Sequence, residues 1–218
     1  SSTFIIDSTG TTNSTGHLSF DFNPNCNYDP GQHNWKIGVR DDVCYLDTNT
    51  TFQPLLTILG QLKNNIIDPT AGKVFNVSDQ VAIRFNTTSD CSLQKAEENL
   101  IANTSVKIEP RDSLSRFYSC IPVKNETSGE QTGYYNCTFP TLGKQVGNWS
   151  IQLNSSKQHF SPNSTIYSDR FSLVNSPSIT SNLSVTPLVG GWGRNYTYNI
   201  YVDDANLDNV TCTLYTYT

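Results

Sequence analysis

Asparagine is the residue whose spacing carries the most chemistry in this chain. Asn13, Asn49, Asn76, Asn86, Asn103, Asn125, Asn136, Asn148, Asn154, Asn163, Asn182, Asn195 and Asn209 each stand two places before a Ser or Thr, with no proline between. That triplet accepts N-linked glycans through the side-chain amide nitrogen. Ser and Thr fill about a fifth of the chain, so accident gives about five matches among its 23 asparagines. The thirteen present are a clear excess and point to a sugar coat. Asn136 stands beside Cys137 in a predicted strand, so its use requires an outward-facing side chain. A dense coat covers surface, blocks proteases and keeps sheet edges apart. It leaves little room for a substrate pocket.

The other reactive residues do not assemble into a catalytic pattern. His17, His33 and His159 are scattered, and each reads as a surface or turn residue. The chain has no Gly-x-Ser-x-Gly elbow, no His-Glu-x-x-His pair and no phosphate loop. Gly190-Gly191-Trp192-Gly193 precedes a predicted strand rather than a helix, which argues against phosphate binding. It reads as a turn in which Trp192 is packed or shields a junction. No pair of carboxylates is singled out for glycosidic chemistry. The chain therefore reads as a non-enzyme without a small-molecule substrate. One acidic run, Asp203, Asp204, Asn206 and Asp208, puts oxygen ligands on near-alternate residues. Asp204, Asn206 and Asp208 could hold calcium, although Asp and Asn are also the ordinary residues of a polar turn. Apart from that cation and the N-linked glycans, no cofactor is expected.

Charge narrows the partners. The net charge is −5, and no basic stripe is present to meet phosphates. No apolar run approaches the roughly 20 residues of a membrane helix. The longest apolar cluster, 55–62, is broken by Thr57 and Gly60. No signal peptide stands at Ser1, so the chain reads as mature or as an excised piece. Six cysteines without Cys-x-x-Cys spacing read as disulfides of an oxidising compartment, hence an extracellular or cell-surface location.

Internal repeats organise the chain. Thr15-Gly16 precedes an alternating segment and then Trp35-Lys36-Ile37-Gly38-Val39; Thr132-Gly133 precedes another and then Trp149-Ser150-Ile151-Gln152-Leu153. At equal spacing after each Trp come Thr57-Ile58-Leu59 and Phe171-Ser172-Leu173. Likewise Ile67-Asp68-Pro69 followed by Val81-Ala82-Ile83-Arg84-Phe85 resembles Val185-Thr186-Pro187 followed by Tyr198-Asn199-Ile200-Tyr201-Val202. Residues 63–176 thus hold one complete unit. Residues 1–62 match the second half of a unit, and residues 177–218 the first half. Read on into residue 1, residue 218 regenerates a full unit of sandwich size. The chain is then one period of a tandem array, or its ends are completed by neighbouring copies. Two ordinary domains with a ragged truncation are the plainer alternative.

The elements that carry these residues are strands. Alternation is period two. Val81, Ile83 and Phe85 face one way, as do Tyr198, Ile200 and Val202, then Val210, Cys212 and Leu214. Trp35, Ile37 and Val39 form an expected core stripe, as do Trp149, Ile151 and Leu153. Turn signals recur at Asp29-Pro30-Gly31, Asp68-Pro69, Ser128-Gly129 and Gly190-Gly191. The expected fold is all-β, tandem immunoglobulin-like antiparallel sandwiches. One short helical insertion is expected over 92–100, where helix formers follow a capping Ser92.

The Trp-x-x-x-Val/Leu strand with its long closing strand resembles the later strands of tandem immunoglobulin-like repeats in archaeal surface-layer and extracellular filament glycoproteins. That resemblance spans most of the chain. It implies an extracellular, glycosylated, self-assembling protein and carries over no catalytic residue.

Copy comparison also bears on the cysteines. Cys26 and Cys44 are both missing from the Trp149 copy, and Cys120 and Cys137 are both missing from residues 1–22. Cysteines absent together favour Cys26–Cys44 and Cys120–Cys137 as partners. An extended strand between Cys26 and Cys44 would hold them too far apart unless residues 27–33 fold back. Cys91 and Cys212 are left to pair with each other or to bridge to a neighbouring copy. The functional expectation is a structural subunit of a filament or surface layer that polymerises with other copies of itself. The alternative is an adhesin or receptor ectodomain binding protein or carbohydrate through its loops, with Trp192 and Tyr134-Tyr135 as candidates.

Overall fold

The structure, a computed structural model, describes residues 6–51, 53–91, 102–111, 117–126, 133–176, 178–204 and 209–215. Every regular element among them is a strand. The strands are β1 (Gly31–Asn34), β2 (Gly38–Val39), β3 (Thr48–Asn49), β4 (Leu55–Ile58), β5 (Gly60–Asp68), β6 (Lys73–Asn76), β7 (Gln80–Ser89) and β8 (Asn103–Pro110). They continue with β9 (Tyr118–Ser119), β10 (Lys124–Glu126), β11 (Tyr134–Pro140), β12 (Gly147–Ser156), β13 (Phe160–Ser161), β14 (Asn163–Val174), β15 (Ile179–Thr186) and β16 (Thr197–Asp203). The protein is all-β. The helical insertion expected over 92–100 lies outside the described residues.

Two five-stranded sheets take all their strands from residues 60–174. One runs β10-β11-β7-β5-β13 and the other β6-β14-β12-β8-β9. Neighbours are antiparallel except at one edge of each sheet, where β13 lies parallel to β5 and β6 parallel to β14. The expectation of purely antiparallel sheets therefore fails at those edges. Short β13 and β6 pair with strands remote in sequence, β5 and β14, and such a separation permits a parallel approach that a tight hairpin forbids.

Alternation explains the core. In β7, Val81, Ile83, Phe85, Thr87 and Ser89 are buried while the residues between them are not. In β12, Trp149, Ile151, Leu153 and Ser155 do the same. These rows meet Val106 and Ile108 of β8, Phe139 of β11, and Phe171 and Leu173 of β14 in one cluster shared by both sheets. Trp149 lies 5.6 Å from Phe139 on the facing sheet and 5.8 Å from Tyr118, ring centroid to centroid. Each such side chain contributes about 1.5–3 kcal/mol by leaving water.

A buried polar network runs through this body. Asn64 Nδ2 donates to the Leu153 carbonyl at 3.1 Å and to Asn163 Oδ1 at 3.0 Å, and its Oδ1 accepts from Thr87 Oγ1 at 3.1 Å. The Tyr167 hydroxyl donates to the Asn64 carbonyl at 2.7 Å. One buried amide thus ties β5 and β7 to β12 and β14 across the two sheets, and specific polar contacts of this kind set register.

The Cys120–Cys137 disulfide also joins the two sheets. Cys137 is on β11, while Cys120 follows β9 and donates its N–H to the Val106 carbonyl of β8. The favoured Cys26–Cys44 pairing is corrected: Cys26 bonds Cys91, with Cα atoms 5.4 Å apart and a sequence separation of 65. The reason is chain path. β1 and β2 run extended between Cys26 and Cys44, and extended chain advances about 3.3 Å per residue. They deliver Cys44 to the turn 40–47, where Asp42 Oδ1 accepts from its N–H at 2.8 Å. Cys91 and Cys212 do not pair either, and Cys44 and Cys212 are free exposed thiols.

Among the described residues outside 60–174 there are only two-stranded pairs: β1 with β4, β2 with β3, and β15 with β16. The first two continue one hairpin, Gly31 opposite Ile58 and Gly38 opposite Asn49. It has the same order as the β12–β14 hairpin of the central body. Among the described residues neither flank has a facing sheet, and their apolar stripes are partly in solvent. The core stripe expected at Trp35, Ile37 and Val39 is 44%, 44% and 42% exposed, whereas Trp149, Ile151 and Leu153 are each 0% exposed.

Candidate assembly and glycan surface

Sequon placement follows the strands. Asn13, Asn49, Asn76, Asn103, Asn148, Asn182, Asn195 and Asn209 are exposed, and the other five are partly so. Asn13 sits in a turn where its Oδ1 accepts from Thr15 N–H at 3.0 Å and Thr15 Oγ1 at 2.7 Å, leaving the amide nitrogen directed away from those bonds. Asn154 alternates with the buried residues of β12 and lies on that sheet's outer face.

Three sequons are compromised by their surroundings. Asn125 lies opposite the buried Tyr135 in the β10–β11 pair, so it shares the core-facing side. Its Oδ1 is buried with no hydrogen-bond partner. Asn163 lies opposite buried Ser155, and its Oδ1 accepts from Asn64 and from Thr165 Oγ1. Asn136 faces outward, as its use requires, but its Nδ2 donates to Glu126 Oε1 at 2.9 Å.

That last contact belongs to a polar cluster on the outer face of β7, β11 and β10. Arg84 Nε and Nη2 grip the Glu126 carboxylate at 2.9 and 2.7 Å, and the Arg84 guanidinium lies over the Tyr134 ring at 4.7 Å. Hydrogen bonds from Arg84, then from Asn136, hold the Glu126 carboxyl below its ordinary value. The same bond to Glu126 raises Arg84. The cluster is structural: it clamps three strands at Arg84, Asn136 and Glu126. No local pattern in the sequence marks it, because three separate strands supply its members.

The flanks carry a second surface. Trp35, Ile37, Val39, Leu55 and Leu59 are exposed on one, and Tyr198, Ile200, Val210 and Leu214 on the other. Trp192 is wholly exposed at 106%. Tyr135 is buried in the core, with its hydroxyl donating to the Ala102 carbonyl at 3.0 Å, and cannot serve as a docking residue. Burial raises its hydroxyl above the ordinary tyrosine value.

The histidines are dispersed: His17 is in the exposed turn after Asn13, His33 bonds the Asp29 carbonyl, and His159 occupies a left-handed turn position before β13. A shallow depression at the end of the sandwiched sheets is lined by Asn103, Ser105, Asn154, Ser156 and Ser164 among others, with no ionisable side chain in its wall. Among the described residues no group of three His, Cys, Asp or Glu side chains is placed to hold a metal ion. Of the calcium candidates, Asn206 and Asp208 lie outside the described residues; Asp204 follows the end of β16. Among the described residues no helix is long and apolar enough to cross a membrane.

No protein-family model matches this chain, and no curated protein matches it in sequence.

Proposed function

We propose that this chain is a structural, N-glycosylated subunit of an extracellular filament or surface layer. In this reading, residues 63–176 form a complete immunoglobulin-like sandwich. Residues 177–218 of one copy and residues 1–62 of the next together form a second one. The parallel with tandem immunoglobulin-like repeats of archaeal surface-layer glycoproteins is part of the proposal.

One observation carries it. Two copies of the same Trp-x-Ile-x-Val/Leu stripe differ in exposure, 0% at Trp149, Ile151 and Leu153 against 42–44% at Trp35, Ile37 and Val39. A contiguous apolar face of that kind is normally an interaction surface, and an unpaired sheet edge recruits another strand. The central body supplies the chemistry of the partner, because there the same stripe is covered by β7 and β11 residues. The matching residues are those of β16 in a second copy. Exposed sequons on both flanks and on the outer sheet faces agree with an extracellular coat, as do two disulfides.

Electron microscopy of the native secreted material tests the proposal. Fibres or a lattice with a repeat set by one chain are expected. Dispersed single molecules at assembly concentrations would overturn it. The adhesin reading keeps one point in its favour, the fully exposed Trp192. Binding of a glycan or protein probe that is lost on Trp192→Ala, without any polymer, would shift the assignment to it.

A further inference from the structure

We infer that the shallow depression formed by β8, β12 and β14 is the seat of an N-linked sugar carried by Asn154, held against the outer face of that sheet as part of its surface. This rests on the proposal that the chain is N-glycosylated, and it specifies where one glycan lies.

Side-chain size makes the depression. On the outer face, Asn154 of β12 stands directly between Ser105 of β8 and Ser164 of β14. The next outward-facing row across the same strands is Lys107, Gln152 and Ile166. Larger side chains in that row and serines in this one leave a step. Asn103 and Ser156, opposite one another, carry the low ground to the end of the sheet. Asn103, Ser105, Ser156 and Ser164 are all exposed. The hollow has a volume of about 390 Å³, within the range of small-ligand sites.

Its chemistry suits a sugar. The wall presents hydroxyls and amides and no ionisable side chain, and such groups both donate to and accept from sugar hydroxyls. Gln152 Nε2 donates to Ser164 Oγ at 2.8 Å, which leaves the Ser164 hydroxyl proton for a sugar oxygen. Ile166, 63% exposed at the step, gives the apolar side of a sugar ring a surface to lie against. The acceptor stands in the hollow itself, because Asn154-Ser155-Ser156 is a sequon. A sugar tethered there has a high effective concentration, so contacts too weak to capture a free sugar are enough to seat it.

Attachment joins the Asn154 amide nitrogen to the anomeric carbon of a glycosyl phosphate donor. The carbon–oxygen bond of the donor breaks, the phosphate leaves with the electron pair, and the amide gives up one proton. One N–H remains on the nitrogen. Asn154 Nδ2 donates to Ser105 Oγ at 3.4 Å, and the remaining N–H can keep that bond while the sugar lies towards Ser164. A sugar seated in this way closes the outer face of the sheet to other chains, so contacts between copies fall on the flanks.

The test is native deglycosylation of the secreted full chain with an amidase that cuts the Asn–sugar linkage, followed site by site by peptide mass spectrometry. Asn13 and Asn195, both exposed, are the references. Asn154 should be glycosylated, and its glycan should be released at least about tenfold more slowly than theirs, the factor that about 1.4 kcal/mol of contact supplies. After denaturation the rates should be equal. Ser164→Leu and Ser164→Gln fill the hollow from an exposed position and leave every sequon intact. Both should bring Asn154 release up to the reference rate. Asn103→Gln removes the neighbouring glycan and should leave the slow release unchanged. A bare Asn154, or native release as fast as at the references, overturns the inference. Slow release that persists in both Ser164 variants also overturns it, by assigning the cover to another copy. Slow release lost in Asn103→Gln does the same, by assigning the cover to the neighbouring glycan. Glycans at the reference sites beside a bare or rapidly released Asn154 remove the seat and leave the glycoprotein proposal standing. A chain with no glycan at any sequon removes both.

Discussion

Trp149 stacks on Phe171 with ring centroids 6.2 Å apart and planes 10° from parallel, joining β12 to β14 beneath the facing sheet. Its indole Nε1 donates to the Gln145 carbonyl at 3.2 Å, so this large buried ring leaves no polar atom unpaired. Trp149→Ala is expected to destabilise the isolated chain by about 3–5 kcal/mol, through lost transfer energy and the cavity left behind. Trp35→Ala in the same isolated chain should cost under about 1 kcal/mol, because the ring it removes is already partly in water. Urea denaturation of the two variants checks both figures.

Glu126→Gln should cost about 1–3 kcal/mol at neutral pH, since it removes the charge that the Arg84 fork grips. The Glu126 carboxyl is held below its ordinary value by Arg84 and Asn136. A lowered carboxyl stabilises the fold above the unfolded-state value, about 4.3 for Glu, and that contribution fades as pH falls through the folded-state value. The stability gap between wild type and Glu126→Gln should therefore be full at pH 7 and shrink below about pH 4. Denaturation midpoints across that range measure it; a gap that widened in acid would contradict the assignment.

Opening each disulfide should have a different result. Cys120→Ala removes a link between the two sheets that closes a short loop, and should destabilise the central body by about 2–4 kcal/mol. Cys26→Ala cuts the covalent tie between the first flank and the end of β7. Limited proteolysis of that variant should trim residues 6–59 while residues 60–174 survive. Equal protection of both segments would contradict that division.

Glycan occupancy should follow local geometry rather than the triplet alone. Asn13, Asn49, Asn195 and Asn209 are exposed and should be modified. Asn125 and Asn163 face the core side, and Asn136 is held by Glu126, so these three should be largely bare. Enzymatic deglycosylation in heavy-oxygen water followed by peptide mass spectrometry reads each site. Full occupancy at Asn125 would show that the β10 edge is displaced in the secreted protein.

What was legible in the chain was whatever period two encodes. The rows Val81, Ile83, Phe85 and Trp149, Ile151, Leu153 announce strands with one wet face, and they are the centre of the core. Trp35, Ile37 and Val39 carry the same pattern, but burial also needs a facing layer, which local alternation does not report. The Cys26–Cys91 bond was hidden for a related reason: it depends on how the first flank passes the end of β7, a long-range path with no local signature. The Arg84, Glu126 and Asn136 clamp was equally hidden, since its geometry follows from the register of β7 with β11 and of β11 with β10. The parallel edges at β6 and β13 come from connection paths, again beyond local pattern.

The most direct measurement is a cryo-electron microscopy reconstruction of the native assembly, read at the Trp35 stripe. The account expects Trp35, Ile37 and Val39 to be covered by the 197–203 strand of an adjoining copy, as Trp149, Ile151 and Leu153 are covered within the central body. A map in which that stripe stays bare, or is covered by its own chain with no contact between copies, would contradict it.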